Sequence, residues 1–225
     1  MFKRRKGDSP GDAPGDAPGE PEGVEDDGDG SADEDRAQAD EGEAGLTPRP
    51  NGPWDDSEVE GPEPRLDLGG VWIRGFDGLH LQVQMDESTG VVSVVTLTRG
   101  DAALQIQAFA APRSAGIWPD VRAQLVGSIT SSGGLVEEAP GEFGVELRAR
   151  VPGQGGALQP ARFVGVDGPR WFLRGLYLGS AAAPGGAPDL EDAFRDIVVV
   201  RGQDAMAPGD LITMTLPPEA QATRM

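Results

Sequence analysis

Apolar and polar residues alternate with period two through Leu79-His80-Leu81-Gln82-Val83-Gln84-Met85 and again through Leu104-Gln105-Ile106-Gln107-Ala108-Phe109. That pattern predicts strands with one apolar and one polar face. Further strands are expected at Leu66 to Leu68, Val71 to Ile73, Val91 to Thr98, Leu135 to Glu138, Gly144 to Val151, Ala161 to Val166 and Arg170 to Leu178. Turn residues separate them, with Asp86-Glu87-Ser88-Thr89-Gly90 and Asp167-Gly168-Pro169 each closing a hairpin. Arg99-Gly100-Asp101 spells the integrin tripeptide, but Gly-Asp between two strands reads as a hairpin turn. Gly153-Gln154-Gly155-Gly156 opens no helix, so it is a loop between strands and not a phosphate cradle.

Two segments change period. Trp118, Val121, Leu125 and Ile129 follow helical spacing, Pro119 suits a first turn, and Gly133-Gly134 stops the run. A second helix is expected over Asp189 to Val199, with Asp189 as N-cap and Leu190, Ala193, Phe194 and Ile197 on one side. Leu211 to Leu216 adds an edge strand or drapes over the surface. Strands in runs with two separate helices predict an α+β fold: a mostly antiparallel sheet covered by two main helices, preceded by a disordered acidic tail.

Charge sharpens the boundaries. Residues 1–64 carry 20 acidic and 6 basic side chains, a net of −14, and the remaining 161 residues carry only −5. Gly7 to Gly45 holds one Val and no Leu or Ile, too little apolar surface to offset the entropy of ordering. The expected organisation is a tail over 1–53, one α+β domain over 54–217 and a flexible C-terminus over 218–225. Trp54, the first large side chain after the tail, is expected to begin a segment that docks on the domain.

The absences exclude much chemistry. The chain has no Cys, so thiol catalysis, thiolate metal sites and disulfides are ruled out. Its lysines are Lys3 and Lys6, which leaves none for a Walker-type loop, a kinase site or a Schiff base in the folded part. His80 is the single histidine, placed by its alternation on a polar strand face, and no Gly-x-Ser-x-Gly turn exists in the expected domain to partner it. No catalytic residue, metal or cofactor is therefore expected, although carboxylate-only catalysis stays open. No apolar run follows the basic start Lys3-Arg4-Arg5-Lys6, so neither a secretory signal nor membrane insertion is expected, and the expected location is the cytoplasm. An acidic chain also argues against a nucleic-acid partner.

Four stretches resemble a known family. They are Gly52-Pro53-Trp54-Asp55, Leu104 to Arg113, Arg162 to Gly175 and Phe194 to Gly202. Together they are similar to the actinobacterial "domain of unknown function 3710" family over about residues 50 to 217. The resemblance implies an actinobacterial cytoplasmic protein and brings no activity, cofactor or catalytic residue. The order of strands, helix, strands and final helix is also similar to the Mog1/PsbP-like fold.

One constellation of side chains remains. Arg148 and Arg150 share a strand face, as do Gln105 and Gln107, while Arg162, Arg170, Trp171 and Arg174 lie on the following hairpin and Arg113 just beyond a strand end. With helices covering the apolar face, these residues are expected to form one polar, arginine-bearing surface suited to anionic groups or a protein partner. Two function classes follow: a non-catalytic binding or adaptor domain with a protein partner, or a small hydrolase acting on a nucleotide-like or other anionic small molecule through carboxylates.

Overall fold

The computed structural model of the chain describes Leu46 and residues 48–85, 91–113 and 115–215. Most of the expected tail and all of the expected flexible C-terminus lie outside these residues. The alternating stretches become strands: β1 (Trp54–Asp55), β2 (Leu66–Asp67), β3 (Val71–Ile73), β4 (His80–Met85), β5 (Val92–Arg99) and β6 (Ala102–Ala110). Helix α1 (Trp118–Ser131) follows, then β7 (Leu135–Gly141), β8 (Gly144–Pro152), β9 (Leu158–Gly168) and β10 (Trp171–Leu178). Helix α2 (Pro188–Arg195) and β11 (Val198–Val199) complete the order.

Two antiparallel meanders, β4-β5-β6 and β7-β8-β9-β10, join through β6 and β10 into one seven-stranded antiparallel sheet. Helix α1 carries the chain from one meander to the other. A second sheet of four short strands runs β1-β11-β3-β2, with β1 and β11 parallel. The fold is α+β, with the expected antiparallel sheet and two main helices.

The helices do not cover the same face. Trp171, Leu173 and Tyr177 of β10 enter a core with Leu104, Ile106, α2 and the small sheet. Their neighbours Phe172, Leu176 and Leu178 point the other way, into a second core under Trp118 and Ile129 of α1. The large sheet is thus buried on both faces over its β8–β10 part. The expectation of one apolar and one polar face is corrected accordingly: alternation separates two faces without saying which is covered.

Helix α1 is seated by two features of β9. Asp167 accepts the backbone N–H groups of Ile117 (2.8 Å) and Trp118 (3.2 Å), so a carboxylate meets the helix N-terminus from the adjoining strand. Gly165 leaves room for the Trp118 ring to lie against the sheet, where it stacks on Phe172 with centroids 5.7 Å apart. Helix α2 stops earlier than expected, at Arg195, because Val198 and Val199 are drawn out to pair between β1 and β3. Asp189 lies in its first turn, and Ala187 occupies the N-cap position.

The Trp54 segment docks as expected. Trp54 N–H donates to the Ile197 carbonyl at 2.8 Å, and buried Asp55 accepts the Trp171 indole N–H at 2.8 Å. Arg49, within the expected tail, lies over the Trp171 ring and makes a two-point ion pair with Glu58. At the other end, residues 209–215 drape along β6, β5 and the small sheet. Ile212 N–H donates to the Ala108 carbonyl (2.9 Å) and Thr215 N–H to the Leu68 carbonyl (2.8 Å).

Candidate functional site

Register across the large sheet decides which of the expected side chains meet. Gln107 stands opposite Arg174 and Gln105 opposite Leu176, on the α1 face. Arg148 stands opposite Arg162, and Arg162 opposite Tyr177, on the α2 face. The single arginine-bearing surface expected from sequence is therefore split between two faces and one end of the sheet.

On the α2 face, Arg162 is buried and held through both Nη atoms. It stacks on Tyr177 at 4.2 Å, reaches Glu146 at 3.4 Å and Glu191 at 2.5 Å, and donates to the Ala181 carbonyl. Glu191 belongs to the first turn of α2, so this arginine fastens that helix to the sheet. Arg148 adds a 2.9 Å pair to Glu146, and Arg150 is solvent-exposed at the end of the row. Trp171 has no exposed surface and serves the core, contrary to a role beside a binding face.

On the α1 face, the helix lies over β7, β8 and β9. No described helix crosses the β4–β6 half. That half presents His80, Gln82 and Gln84 from β4, Thr96 and Thr98 from β5, and Gln105 and Gln107 from β6. At the boundary with α1 sits Arg174, half-buried, with Nη2 donating to the Gln107 side-chain carbonyl and its guanidinium 5.4 Å from the Phe109 ring centroid. Burial pushes its pKa down, and no carboxylate forms an ion pair with it among the described residues. A hollow of about 330 Å³ opens beside it, walled by Phe109, Ile117, Val121, Phe172 and Pro208, with Asp120 and Gln124 of α1 at its rim. An amide-and-hydroxyl surface running into an apolar hollow with one unneutralised cation can hold a partner by hydrogen bonds, with an anionic group placed at Arg174.

A larger cleft of about 720 Å³ lies along the outer side of α2, between Trp54, Phe76, Arg74, Arg99 and the α2 carboxylates. Its charges are largely neutralised internally. Arg99 pairs with Asp189 and lies over Phe76, Arg195 makes a two-point pair with Glu142, and Arg65 holds Asp196 at 2.7 Å. Sequence reading missed this cleft because its walls come from β1, the β3–β4 connection and α2, which no local pattern relates. Among the described residues no group of three or more His, Asp or Glu is placed to hold a metal ion. No described helix is long and apolar enough to cross a membrane.

The third group lies at one end of the sheet. Arg170 occupies the β9–β10 turn, and Ala111 N–H donates to its carbonyl at 2.9 Å, which brings the segment leading to exposed Arg113 alongside. Arg201, which no strand pattern singled out, is buried, and burial first, then the charge of Arg170, pushes its pKa down.

An antiparallel sheet with one helix on each face, edged by a short second sheet, defines an α+β protein. Residues 52–223 match the model of a family described as Protein of unknown function (DUF3710), and the chain belongs to that family. No curated protein matches it. Among solved structures it is similar to the solution structure of cyanobacterial PsbP (CyanoP) from Synechocystis sp. PCC 6803, at 13% identity, over 63% of this chain and 97% of that one, with a TM-score of 0.37. So low a score decides nothing about function.

Proposed function

We propose that the protein is a non-catalytic binding domain that engages a protein partner across the uncovered β4–β6 half of its large sheet, anchored at the hollow beside Arg174. One observation carries this reading. Arg174 is a half-buried guanidinium whose hydrogen-bonding partner is the neutral Gln107, at the edge of a sheet surface that no described helix covers. Buried charges are ordinarily paired, so a partner's carboxylate or other anionic group fits there. The neutral surface around it supplies many donors and acceptors and no carboxylate pair suited to hydrolysis. The expected hydrolase alternative has weaker support. Of the carboxylates lining the larger cleft, Asp189, Asp192 and Asp196 are each held by an arginine, which leaves Asp77 no free carboxylate there to act with.

A photo-crosslinking residue placed at Gln105 tests the reading in cells of the source organism, with the same residue at exposed Glu137 as control. The expected result is a discrete adduct from position 105 alone, weakened when Arg174→Ala is added. Equal adducts from both positions, or adducts indifferent to Arg174→Ala, sink the proposal.

A further inference from the structure

The large sheet ends on β4 and β7, and its two edges are finished differently. An edge strand offers unpaired N–H and C=O groups to any other chain, and natural sheets block this with charges, proline or an irregular end. β7 carries Glu137, Glu138 and Pro140. β4 reads His80-Leu81-Gln82-Val83-Gln84-Met85, without an acid, a lysine, an arginine or a proline. Its register shift falls at its last step, Gln84/Met85. Among the described residues β4 pairs with β5 alone.

The free side of β4 follows from two hydrogen bonds. The Thr98 hydroxyl donates to the His80 carbonyl (3.5 Å) and the Ser93 hydroxyl to the Gln84 carbonyl (3.3 Å), so those carbonyls point toward β5. Alternation along the strand then turns the N–H and C=O groups of Leu81 and Val83 to the open edge. Burial marks the same edge. Leu81 stands opposite Leu97 and Val83 opposite Val95. Both β5 residues have no exposed surface, whereas Leu79, Leu81, Val83 and Met85 are only half-buried against the same core. The core runs out at β4 with apolar side chains still partly uncovered.

We propose that β4 pairs antiparallel with β4 of a second copy of this chain, about a two-fold axis at Gln82, joining two seven-stranded sheets into one. In that register Leu81 lies opposite Val83 of the second copy, so the outward backbone groups of both strands are used. Parity is kept on both faces. Half-buried Leu79 and Leu81 meet Met85 and Val83 of the second copy on the core side, and His80 and Gln82 meet its Gln84 and Gln82 on the other. β4 also brings no formal charge to face itself, a condition that β7, with its two glutamates, fails. The edge is separate from the Arg174 surface, because β5 and β6 lie between β4 and β10.

The chain has no Cys, so one introduced thiol reports the pairing in the full-length protein. In the proposed register the two Gln82 residues form a non-hydrogen-bonded pair with Cα atoms about 4.5 Å apart, within disulfide reach. Gln82→Cys is expected to give a disulfide-linked dimer on mild oxidation at low micromolar concentration, and exposed Glu137→Cys is expected not to. Without oxidant, sedimentation velocity of the wild type is expected to shift from monomer to dimer as concentration rises. Gln82→Lys sets like charges across the axis on an exposed side chain. It is expected to stay monomeric while melting at the wild-type temperature in dilute solution. The proposal is overturned if the wild type sediments as a monomer up to millimolar concentration, if thiols at 82 and 137 cross-link equally, or if Gln82→Lys dimerises like the wild type. A Gln82→Cys thiol that cross-links in cell extract to a different protein, and not to its own copy, overturns self-pairing and assigns the edge to a foreign strand.

Discussion

Replacing Gly165 by alanine tests the seat of α1. A Cβ at that position would lie 2.3 Å from Cδ2 and 2.5 Å from Cε3 of Trp118, and 2.7 Å from Cε2 of Phe172. Neither ring is free to swing aside. The Trp118 indole N–H is fixed to the Val145 carbonyl at 2.7 Å, and Phe172 is stacked between Trp118 and Phe109. Relief therefore requires lifting the first turn of α1, whose amides are held by Asp167. Overpacking against rigid groups costs about 1–3 kcal/mol, and this geometry belongs at the upper end. At roughly 2–4 °C per kcal/mol for a chain of this size, the melting temperature should fall by about 6–12 °C. Circular dichroism melts measure it, and a double-mutant cycle with Trp118→Leu identifies the cause. Leucine vacates the space that the new methyl needs, so the two penalties should fall short of their sum by at least about 1 kcal/mol. A Gly165→Ala protein melting within about 1 °C of wild type, or a cycle additive to within about 0.5 kcal/mol, would refute the packing argument.

Three further outcomes follow from the same coordinates. Phe194→Ala should cost about 3–5 kcal/mol in urea denaturation, because the ring is fully buried and set edge-on to Phe143 and Tyr177; a loss under about 1 kcal/mol would contradict its place in the core. Burial pushes the Asp167 carboxyl above the ordinary aspartate value of 3.8, more than its two N–H donors pull it down. The folded chain then holds this proton longer than the unfolded one, so the residue's contribution to stability declines as pH rises from 3.8 through the folded value. Asp167→Asn should flatten that decline in denaturation series run across acidic pH, and an unchanged pH profile would count against it. His80→Ala should alter stability by no more than about 0.5 kcal/mol, since the side chain is exposed opposite Thr98; a larger loss would reveal a contact the strand register does not provide.

Parity within a strand is legible from sequence, and the strands and α1 were placed by it to within a few residues. Relations between strands are set by register, which no local pattern carries, and this is why Arg148 and Gln107 were expected on one surface and lie on opposite ones. A clue to two-sided burial was nevertheless present: Trp171-Phe172-Leu173 and Phe163-Val164 are consecutive apolar residues, the mark of strands covered on both faces. The end of α2 was overrun because Ile197, Val198 and Val199 continue an apolar run that fits either period, and long-range pairing with β1 and β3 decided between them. Arg201 escaped notice because it follows a strand end, where neither alternation nor helical spacing gives a side chain a direction. The Arg162 to Gly175 stretch, which carried much of the family resemblance, turns out to supply the helix fastener Arg162, the α1 seat Gly165, the α1 cap Asp167 and the core anchor Trp171.

The small sheet sets an order on folding. β1 pairs with β11 alone, and β3 has β2 on one side and β11 on the other. A ribosome delivers β1, β2 and β3 well before β11, so the slot between β1 and β3 stays vacant until the chain reaches Val198. Closing it means joining chain segments far apart in sequence, the kind of contact that forms late and slowly. Until Val198 and Val199 arrive, the Asp55 carboxylate waiting for the Trp171 indole has no strand to hold it in place, and a chain cut short before that point would expose an unpaired edge open to association.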